Sequence, residues 1–212
     1  MGVIERRKRE KEMRMELAVE AAMNIFNDEG YHSITMEKIA ERSEISRAAL
    51  YLYFKNKDEI LITAIVEHTD YFGELLESLY NNRENIKDRL LYELWECFIK
   101  FYDKNPAAFN ASQYFHQSEM IRNLSDELRD ILYKSGSRVV RLQHNIIEYA
   151  IKEGIFIKCN LKTLAEVIWS SFLGIIDLER SKYVLAKKSH LDITRDLAIK
   201  VLSRGILIQS DV

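Results

Sequence analysis

Apolar residues recur at intervals of three and four along nearly the whole chain, with polar residues at the positions between them. This spacing places the apolar side chains on one face of an α-helix. One proline and seven glycines in 212 residues leave few points at which a helix would break. No segment shows a convincing strand pattern. The sequence therefore predicts an all-α chain.

Capping and breaking residues divide this pattern into separate helices. Gly30 and Gly154 supply helix ends, Pro106 stops one helix and starts the next, and Asn81 and Asn82 mark a break. The predicted helices cover residues 5–29, 36–43, 47–54, 57–79, 84–104, 107–116, 126–153, 161–182 and 192–204. The first three form a small N-terminal domain, residues 1–56. The helix from residue 57 is long enough to bridge it to a larger helical domain, residues 57–212.

The stretch from residue 35 to residue 57 is the most informative part of the chain. Two short amphipathic helices flank a Glu-Ile-Ser turn, with Thr35 and Ser46 as N-caps. Asn56 then caps the next helix, and Glu59 three residues later forms a variant of the capping box. Two short helices around a tight turn are the layout of a DNA-reading helix-turn-helix.

The second short helix has an outer face rich in aromatic and basic side chains. Ala49, Leu50 and Phe54 can face inward, while the other side chains remain outside. Those outer residues are Arg47, Ala48, Tyr51, Leu52 and Tyr53. A plain helical hairpin whose tyrosines pack inward is the alternative. Because caps, turn and phosphate-binding residue types agree, we favour DNA reading.

These residues resemble the tetracycline-repressor (TetR) family of bacterial transcription regulators over about residues 15 to 62. The resemblance is carried by Ala21-Ala22, Ile25-Phe26, Gly30-Tyr31, Thr35, Ile39-Ala40, Ile45-Ser46, Leu50-Tyr51, Tyr53-Phe54, Lys57, Glu59 and Leu61. It implies that phosphates are held by Thr35, Ser46, Tyr51, Tyr53 and Lys57. It also implies that base edges are met by Arg47, Ala48, Ala49 and Leu52.

Three departures from the family pattern involve four positions. Glu44 stands at a turn position usually held by glycine, where a positive φ would cost about 1 kcal/mol. Ala48 and Ala49 replace the common glycine and threonine, which favours contact with thymine methyl groups over hydrogen bonds. Ile34 replaces a threonine and removes one possible phosphate contact.

Basic residues are concentrated in one segment of a chain that is slightly acidic as a whole. The formal net charge is −2, yet residues 5–14 carry six basic and three acidic side chains. This segment either runs along a DNA minor groove or is a solvated helix start, and the sequence favours neither interpretation over the other.

The last two predicted helices carry more apolar surface than their own chain needs, so a partner subunit is expected. The resemblance implies a symmetric four-helix interface between two subunits, with reading helices about 34 Å apart on a palindromic operator. Gly174 marks either a close helix crossing or a tolerated helix glycine. The candidate interface residues are Trp169, Leu173, Ile176, Leu197 and Val201.

Aromatic residues with a few polar tips lie between the long helices and are candidates for binding a small, largely apolar ligand. They are Trp95, Phe98, Tyr102, Phe115, His116, His144 and Phe172. A packed helical core is the alternative for each of them.

The resemblance implies that ligand shifts the bridging helix around residues 68–76 and releases DNA. The expected function is that of a dimeric DNA-binding repressor that a ligand releases from its operator. Activation stays open as well, because the position of the operator decides whether a bound regulator represses or activates transcription. A ligand-independent architectural or adaptor protein is the alternative.

Other protein classes lack support in the sequence. There is no glycine-rich phosphate loop, His-Glu-x-x-His pair or nucleophile motif, so we expect no enzyme, metal or cofactor. No membrane span or secretory signal is expected, which predicts a cytoplasmic, nucleoid-associated protein. Cys97 and Cys159 match no metal or redox spacing and are expected to be small apolar fillers rather than a sensor pair.

Overall fold

The computed structural model describes residues 2–117 and 120–208, which form ten α-helices and two 3₁₀ segments. The helices are α1 Val3–Glu29, α2 Met36–Arg42, α3 Arg47–Tyr53, α4 Lys57–Asn82, α5 Leu90–Lys104, α6 Pro106–Gln117, α7 Met120–Asn123, α8 Asp126–Lys152, α9 Leu161–Ala186 and α10 Leu191–Ile206. The 3₁₀ segments are Tyr31–Ser33 and Arg83–Arg89. Within the described residues, β pairing is confined to one bridge between Phe156 and Leu207. The all-α prediction is confirmed.

Helix starts follow the predicted caps. Oγ1 of Thr35 accepts a hydrogen bond from the backbone N–H of Lys38 at 3.2 Å. Asn56 Oδ1 accepts from the N–H of Glu59 at 2.9 Å, and Ser125 Oγ caps α8. Each cap satisfies a backbone donor that the first helical turn leaves without a partner. The helix starts are therefore determined by local chemistry.

Helix ends differ more from the prediction. α4 continues through Asn82, and residues 83–89 form a 3₁₀ segment with non-helical backbone at Ile86 instead of the start of α5. α9 continues four residues past the predicted end, because neither glycine nor proline interrupts it, and stops at Lys187 with φ 53°.

The chain divides into two compact units. The first comprises Met1–Tyr71 and Phe101–Gly136, and therefore groups α6 and the start of α8 with α1, α2 and α3. Its core is built on α1, whose alanines let other helices approach closely. The most deeply buried members include Ala18, Ala22, Ile25, Ile39, Leu50, Ile60, Leu61, Ala108, Ala111 and Phe115. The predicted boundary between residues 56 and 57 stays a prediction.

The second unit comprises Phe72–Lys100 and Ser137–Val212. Within it α9 packs on α10, and the connection between them is held by the buried carboxylate of Glu179. That carboxylate accepts from Lys182 Nζ and the backbone N–H of His190, both at 2.7 Å, and these bonds hold the pKa of Glu179 below its ordinary value. The start of α10 is thereby fixed relative to the end of α9.

Among the described residues no helix combines the length and the apolar character needed to cross a bilayer. Cys97 is buried, and burial raises its pKa to about 11, so its thiol stays protonated. Its expected role as an apolar filler is confirmed. Cys159 is exposed, so the same expectation is wrong for that residue. Its position in the connection before α9 leaves it outside any core.

Candidate nucleic-acid interface

The helix-turn-helix consists of α2, the turn and α3, held together by buried apolar side chains. Ile39 and Leu50 are fully buried, and Phe54 is 2% exposed. These anchors fix which face of α3 points outward. Ser46 Oγ accepts from the backbone N–H of Ala49 at 3.2 Å and sets the first turn of α3, as predicted.

The turn between α2 and α3 requires a left-handed residue. Glu44 has φ 55°, so the glycine-like conformation expected from its position is confirmed and an L-residue adopts it. The backbone N–H of Ile45 donates to Ala40 O at 3.0 Å, and Ser43 Oγ donates to Ile39 O at 2.7 Å. These bonds hold the turn in a conformation that Glu44 alone would disfavour.

The outer face of α3 is exposed. Leu52 is 81% exposed and Tyr51 47%, and Arg47 and Ala48 are exposed as well. An exposed leucine beside an arginine and a tyrosine fits the floor of a DNA major groove. Ala49 is half-buried and is therefore the least exposed of the four predicted base-contacting residues.

Of the five predicted phosphate residues, Tyr51 is exposed, and the other four have roles within their own unit. Thr35 and Ser46 use their oxygens as cap acceptors, so each hydroxyl proton can still be donated to a phosphate. Tyr53 is half-buried against the core of the first unit. Lys57 Nζ donates to the carbonyls of Tyr31 at 3.3 Å and Ile34 at 3.0 Å. Two of its three ammonium protons therefore close the 3₁₀ turn.

Tyr31 links this turn to the start of α4. Its hydroxyl donates to Asp58 Oδ1 at 2.7 Å, and Lys57 Nζ lies 4.1 Å from the centre of its ring. Burial, followed by the hydrogen bond to Asp58, raises the pKa of Tyr31 far above its ordinary value. The ring also stacks on Tyr114 of α6 at 5.5 Å. The reading head, which comprises the 3₁₀ turn, α2 and α3, is thus joined to α6 inside one packed unit.

The basic segment before the head is helical. α1 begins at Val3, and residues 5–14 are exposed with ion pairs Arg6–Glu10 at 3.4 Å and Lys8–Glu12 at 3.8 Å. A helix about 10 Å across does not fit a minor groove about 6 Å wide. In this conformation the segment is a solvated helix start, the second of the two interpretations.

One charged residue of this face was not found from the sequence. Glu37 on α2 forms an ion pair with Arg47, the first residue of α3. The two side chains are ten positions apart, so no helical spacing connects them. Only the angle between α2 and α3 brings them together.

The predicted ligand residues do not form one cluster. Trp95, Phe98 and Phe172 pack together in the second unit, and Phe72 and Trp169 complete the group, with ring centres 5.0 to 6.2 Å apart. The indole N–H of Trp95 is buried there, and it has no hydrogen-bond acceptor among the residues that the structure describes. We call these five residues the aromatic cluster.

The remaining ligand candidates lie elsewhere. Tyr102 packs on Phe109 and Phe115 on Tyr31, both in the first unit. His116 is exposed, and His144 is half-buried in the second unit. A surface depression of about 360 Å³ is lined by residues 189–193, none of which was a candidate.

The predicted interface residues also differ in exposure. Leu197 is 61% and Val201 62% exposed, whereas Ile176 is 3% exposed inside its own chain. Trp169 belongs to the aromatic cluster, and Leu173 is half-buried. The exposed members lie on α10.

Comparison with known proteins agrees with this geometry. Residues 18–64 match the sequence model for "Bacterial regulatory proteins, tetR family". The uncharacterized HTH-type transcriptional regulator YvkB of Bacillus subtilis is 30% identical over 138 residues, 62% of this chain and 72% of that protein. The fatty acid metabolism regulator protein of Bacillus subtilis is 27% identical over 150 residues, 71% of each chain.

A solved structure extends the likeness to the whole fold. The SmeT–triclosan complex superposes with a TM-score of 0.71 at 18% identity, over 93% of each chain. At that identity the likeness shows the fold alone. The matched proteins are transcriptional regulators, not enzymes. The exposed reading face, the family match and the relatives together show that this chain belongs to the TetR family of DNA-binding transcriptional regulators.

Proposed function

We propose that this protein is a homodimeric repressor that binds a palindromic operator and leaves it when a small, largely apolar ligand binds. The observation that carries the proposal is the outer face of α3, where Leu52 is 81% exposed beside exposed Arg47 and Tyr51. An apolar and cationic face anchored by buried Leu50 and Phe54 is suited to reading base edges. Where the operator overlaps a promoter, the bound protein represses transcription and ligand-induced release relieves that repression.

In the DNA-bound state, Arg47 and Leu52 meet base edges, with Ala48 against thymine methyl groups. Thr35, Ser46, Tyr51 and Tyr53 bind phosphates, and Lys57 adds its third ammonium proton. Phosphate contacts set position and salt dependence, whereas base contacts set sequence preference. Each good base contact is worth about 1–3 kcal/mol of discrimination.

Selection of duplexes from a random DNA pool followed by gel shift tests this assignment. Arg47→Ala should reduce affinity for the selected duplex while leaving affinity for a scrambled duplex nearly unchanged. Tyr51→Phe, which loses one phosphate donor, should weaken both duplexes equally. Arg89→Ala, an exposed arginine of the second unit, is the control. Unchanged selectivity in Arg47→Ala would remove the reading role of α3.

The partner of the exposed α10 face is a second copy of the chain. Ile193, Leu197 and Val201 recur every four residues and are 70%, 61% and 62% exposed, which forms an apolar stripe. On α9, Gly174 faces open space, so a helix from a partner could approach its backbone closely. Twofold pairing of α9 and α10 covers this surface and supplies the second reading head.

Sedimentation tests the dimer. Leu197→Glu places a charge on the stripe and should convert a dimer to a monomer at micromolar concentration. Tyr133→Glu, at a site that is 74% exposed on α8, carries the same charge elsewhere and should leave the dimer intact. A monomeric wild-type protein would refute the proposal.

The ligand is proposed to enter the aromatic cluster. An unpartnered buried donor costs about 1–3 kcal/mol, so the Trp95 N–H favours a ligand that brings an acceptor oxygen into apolar surroundings. The relative named as a fatty acid metabolism regulator and the triclosan complex of SmeT support an apolar ligand. A long-chain acyl compound with a carboxyl or thioester oxygen fits these requirements.

The signal is proposed to run through α4. Phe72 of α4 belongs to the aromatic cluster, and residues 57–71 of the same helix belong to the first unit with the reading head. A hundredfold loss of operator affinity needs about 2.7 kcal/mol of coupling, which differential packing around one ligand can provide.

Thermal unfolding with hexadecanoic acid and with its coenzyme A thioester tests ligand binding. A ligand should raise Tm with the logarithm of its concentration once that concentration exceeds Kd, and it should release DNA in a gel shift. Trp95→Phe keeps an aromatic ring without the N–H donor and should weaken the binding of either probe. If no acyl compound changes Tm or DNA affinity, the ligand-independent regulator is the better reading.

A further inference from the structure

Glu37 is an acidic residue on the surface that is proposed to face DNA. It is the second residue of α2, its side chain is 54% exposed, and its carboxylate is paired with the Nη2 group of Arg47. An acid on this surface repels phosphates, so by itself it lowers affinity for every DNA sequence. This acid nevertheless contacts the arginine that is predicted to read bases.

Arg47 is held on a second side as well. Its guanidinium carbon lies 5.8 Å from the centre of the Tyr51 ring, one helical turn further along α3. The arginine side chain is 60% exposed and long enough to fold onto neighbouring phosphates. The carboxylate and the ring together restrict it to a narrow set of positions above α3.

A guanidinium has five N–H donors, and the contact with Glu37 uses one end of the group. That contact is made through Nη2, and the guanidinium has further donors on Nη1 and Nε. Two parallel donors match the O6 and N7 acceptors of guanine, whereas an unrestrained arginine pairs with the nearest phosphate of any sequence.

We propose that Glu37 is a specificity-determining positioning residue, which holds Arg47 for a base edge and reduces its attraction to phosphates. Glu37 leaves affinity for the operator nearly unchanged and lowers affinity for non-specific DNA. What it improves is the ratio between the operator and other sequences. The inference rests on the proposed base-reading role of Arg47.

Binding titrations with Glu37→Gln test this role. The probes are the duplex selected by the wild-type protein and its scrambled counterpart, titrated between about 50 and 200 mM salt. Glu37→Gln should bind the scrambled duplex about threefold to tenfold more tightly, with a salt slope steeper by about one phosphate contact. The ratio of the two affinities should fall about tenfold, the value of one base contact near 1.4 kcal/mol.

Two control variants separate this role from general electrostatics. Glu41→Gln makes the same charge change at an exposed site one turn along α2, outside the ion pair. Glu37→Asp keeps the charge and should retain most of the selectivity. In the Arg47→Ala background, Glu37→Gln should no longer change the affinity ratio. Unfolding curves confirm that each variant is folded.

The outcomes are distinguishable. Equal effects of Glu37→Gln and Glu41→Gln, or an effect that persists without Arg47, would overturn the inference. If Arg47→Ala keeps full selectivity, the base-reading role itself fails. If Arg47→Ala loses selectivity and Glu37→Gln does not, only the role of Glu37 fails.

Discussion

Replacing Glu44 by glycine should stabilise the protein, because Glu44 is held at φ 55° in the turn between α2 and α3. A left-handed conformation costs an L-residue about 1–2 kcal/mol. Glycine avoids that cost but loses about 0.4–1 kcal/mol more conformational entropy on folding. The Glu44 side chain is exposed, so its removal leaves no cavity. The net expectation is a gain of about 0.5–1 kcal/mol.

Differential scanning calorimetry measures this gain. For a chain of 212 residues, 1 kcal/mol corresponds to about 2–4 °C in Tm, so Glu44→Gly should raise Tm by about 1–4 °C. All variants are compared at one protein concentration, since self-association makes Tm depend on it.

Two controls isolate the backbone effect. Glu44→Gln removes the charge and keeps the side chain, so its Tm should stay close to that of the wild type. Glu41→Gly puts glycine into the ordinary helical backbone of α2 and should lower stability by about 1 kcal/mol. A Tm for Glu44→Gly at or below that of Glu44→Gln would show that the turn is not strained.

Three further predictions concern the two units separately. His68 is buried, and within the described part of the chain its Nε2 atom has no hydrogen-bond partner. Burial, followed by the charge of Lys104, lowers its pKa from 6.5 to about 4. As pH falls, the unfolded chain therefore takes up a proton on His68 before the folded chain does. The free energy of unfolding should fall by up to about 3 kcal/mol between pH 6.5 and pH 4, measured by urea unfolding. His68→Leu should flatten this pH dependence, and the substitution His32→Gln at an exposed site should not. Tyr31→Phe removes the 2.7 Å bond to Asp58 and should lower the free energy of unfolding by about 1–2 kcal/mol, an effect absent in an Asp58→Ala background. A Cβ on Gly73 would lie 2.6 Å from Arg138 Nη1. Gly73→Ala should therefore raise the free energy of unfolding by the full difference in helix propensity, about 1 kcal/mol, only in an Arg138→Ala background. Equal gains in both backgrounds would show that Arg138 moves without cost.

Much of the reading head could be predicted because its determinants are local. Thr35, Ser46 and Asn56 act as caps within three residues of their partners, so their chemistry is visible in the sequence. Burial of Leu50 and Phe54 follows from helical periodicity. The left-handed turn at Glu44 followed from the resemblance.

Interactions between elements could not be predicted in this way. The pairing of Glu37 with Arg47 depends on the angle between α2 and α3, and the bonds from Lys57 to two carbonyls depend on the 3₁₀ turn. The sequence identified Lys57 only as a phosphate ligand. Its position in the structure gives it a role in folding as well, so a Lys57 variant does not report DNA contact alone.

The division of the ligand candidates has a similar cause, and it determines where a ligand should be sought. Trp95, Phe98 and Tyr102 share one face of α5, which is why periodicity grouped them. Seven residues of helix span about 10.5 Å, however, and one face of that length can serve two separate cores. Trp95 and Phe98 pack in the second unit, and Tyr102 packs on Phe109 in the first. Because the unpartnered N–H belongs to Trp95, a substitution there should alter ligand affinity, whereas Tyr102→Phe should alter only stability.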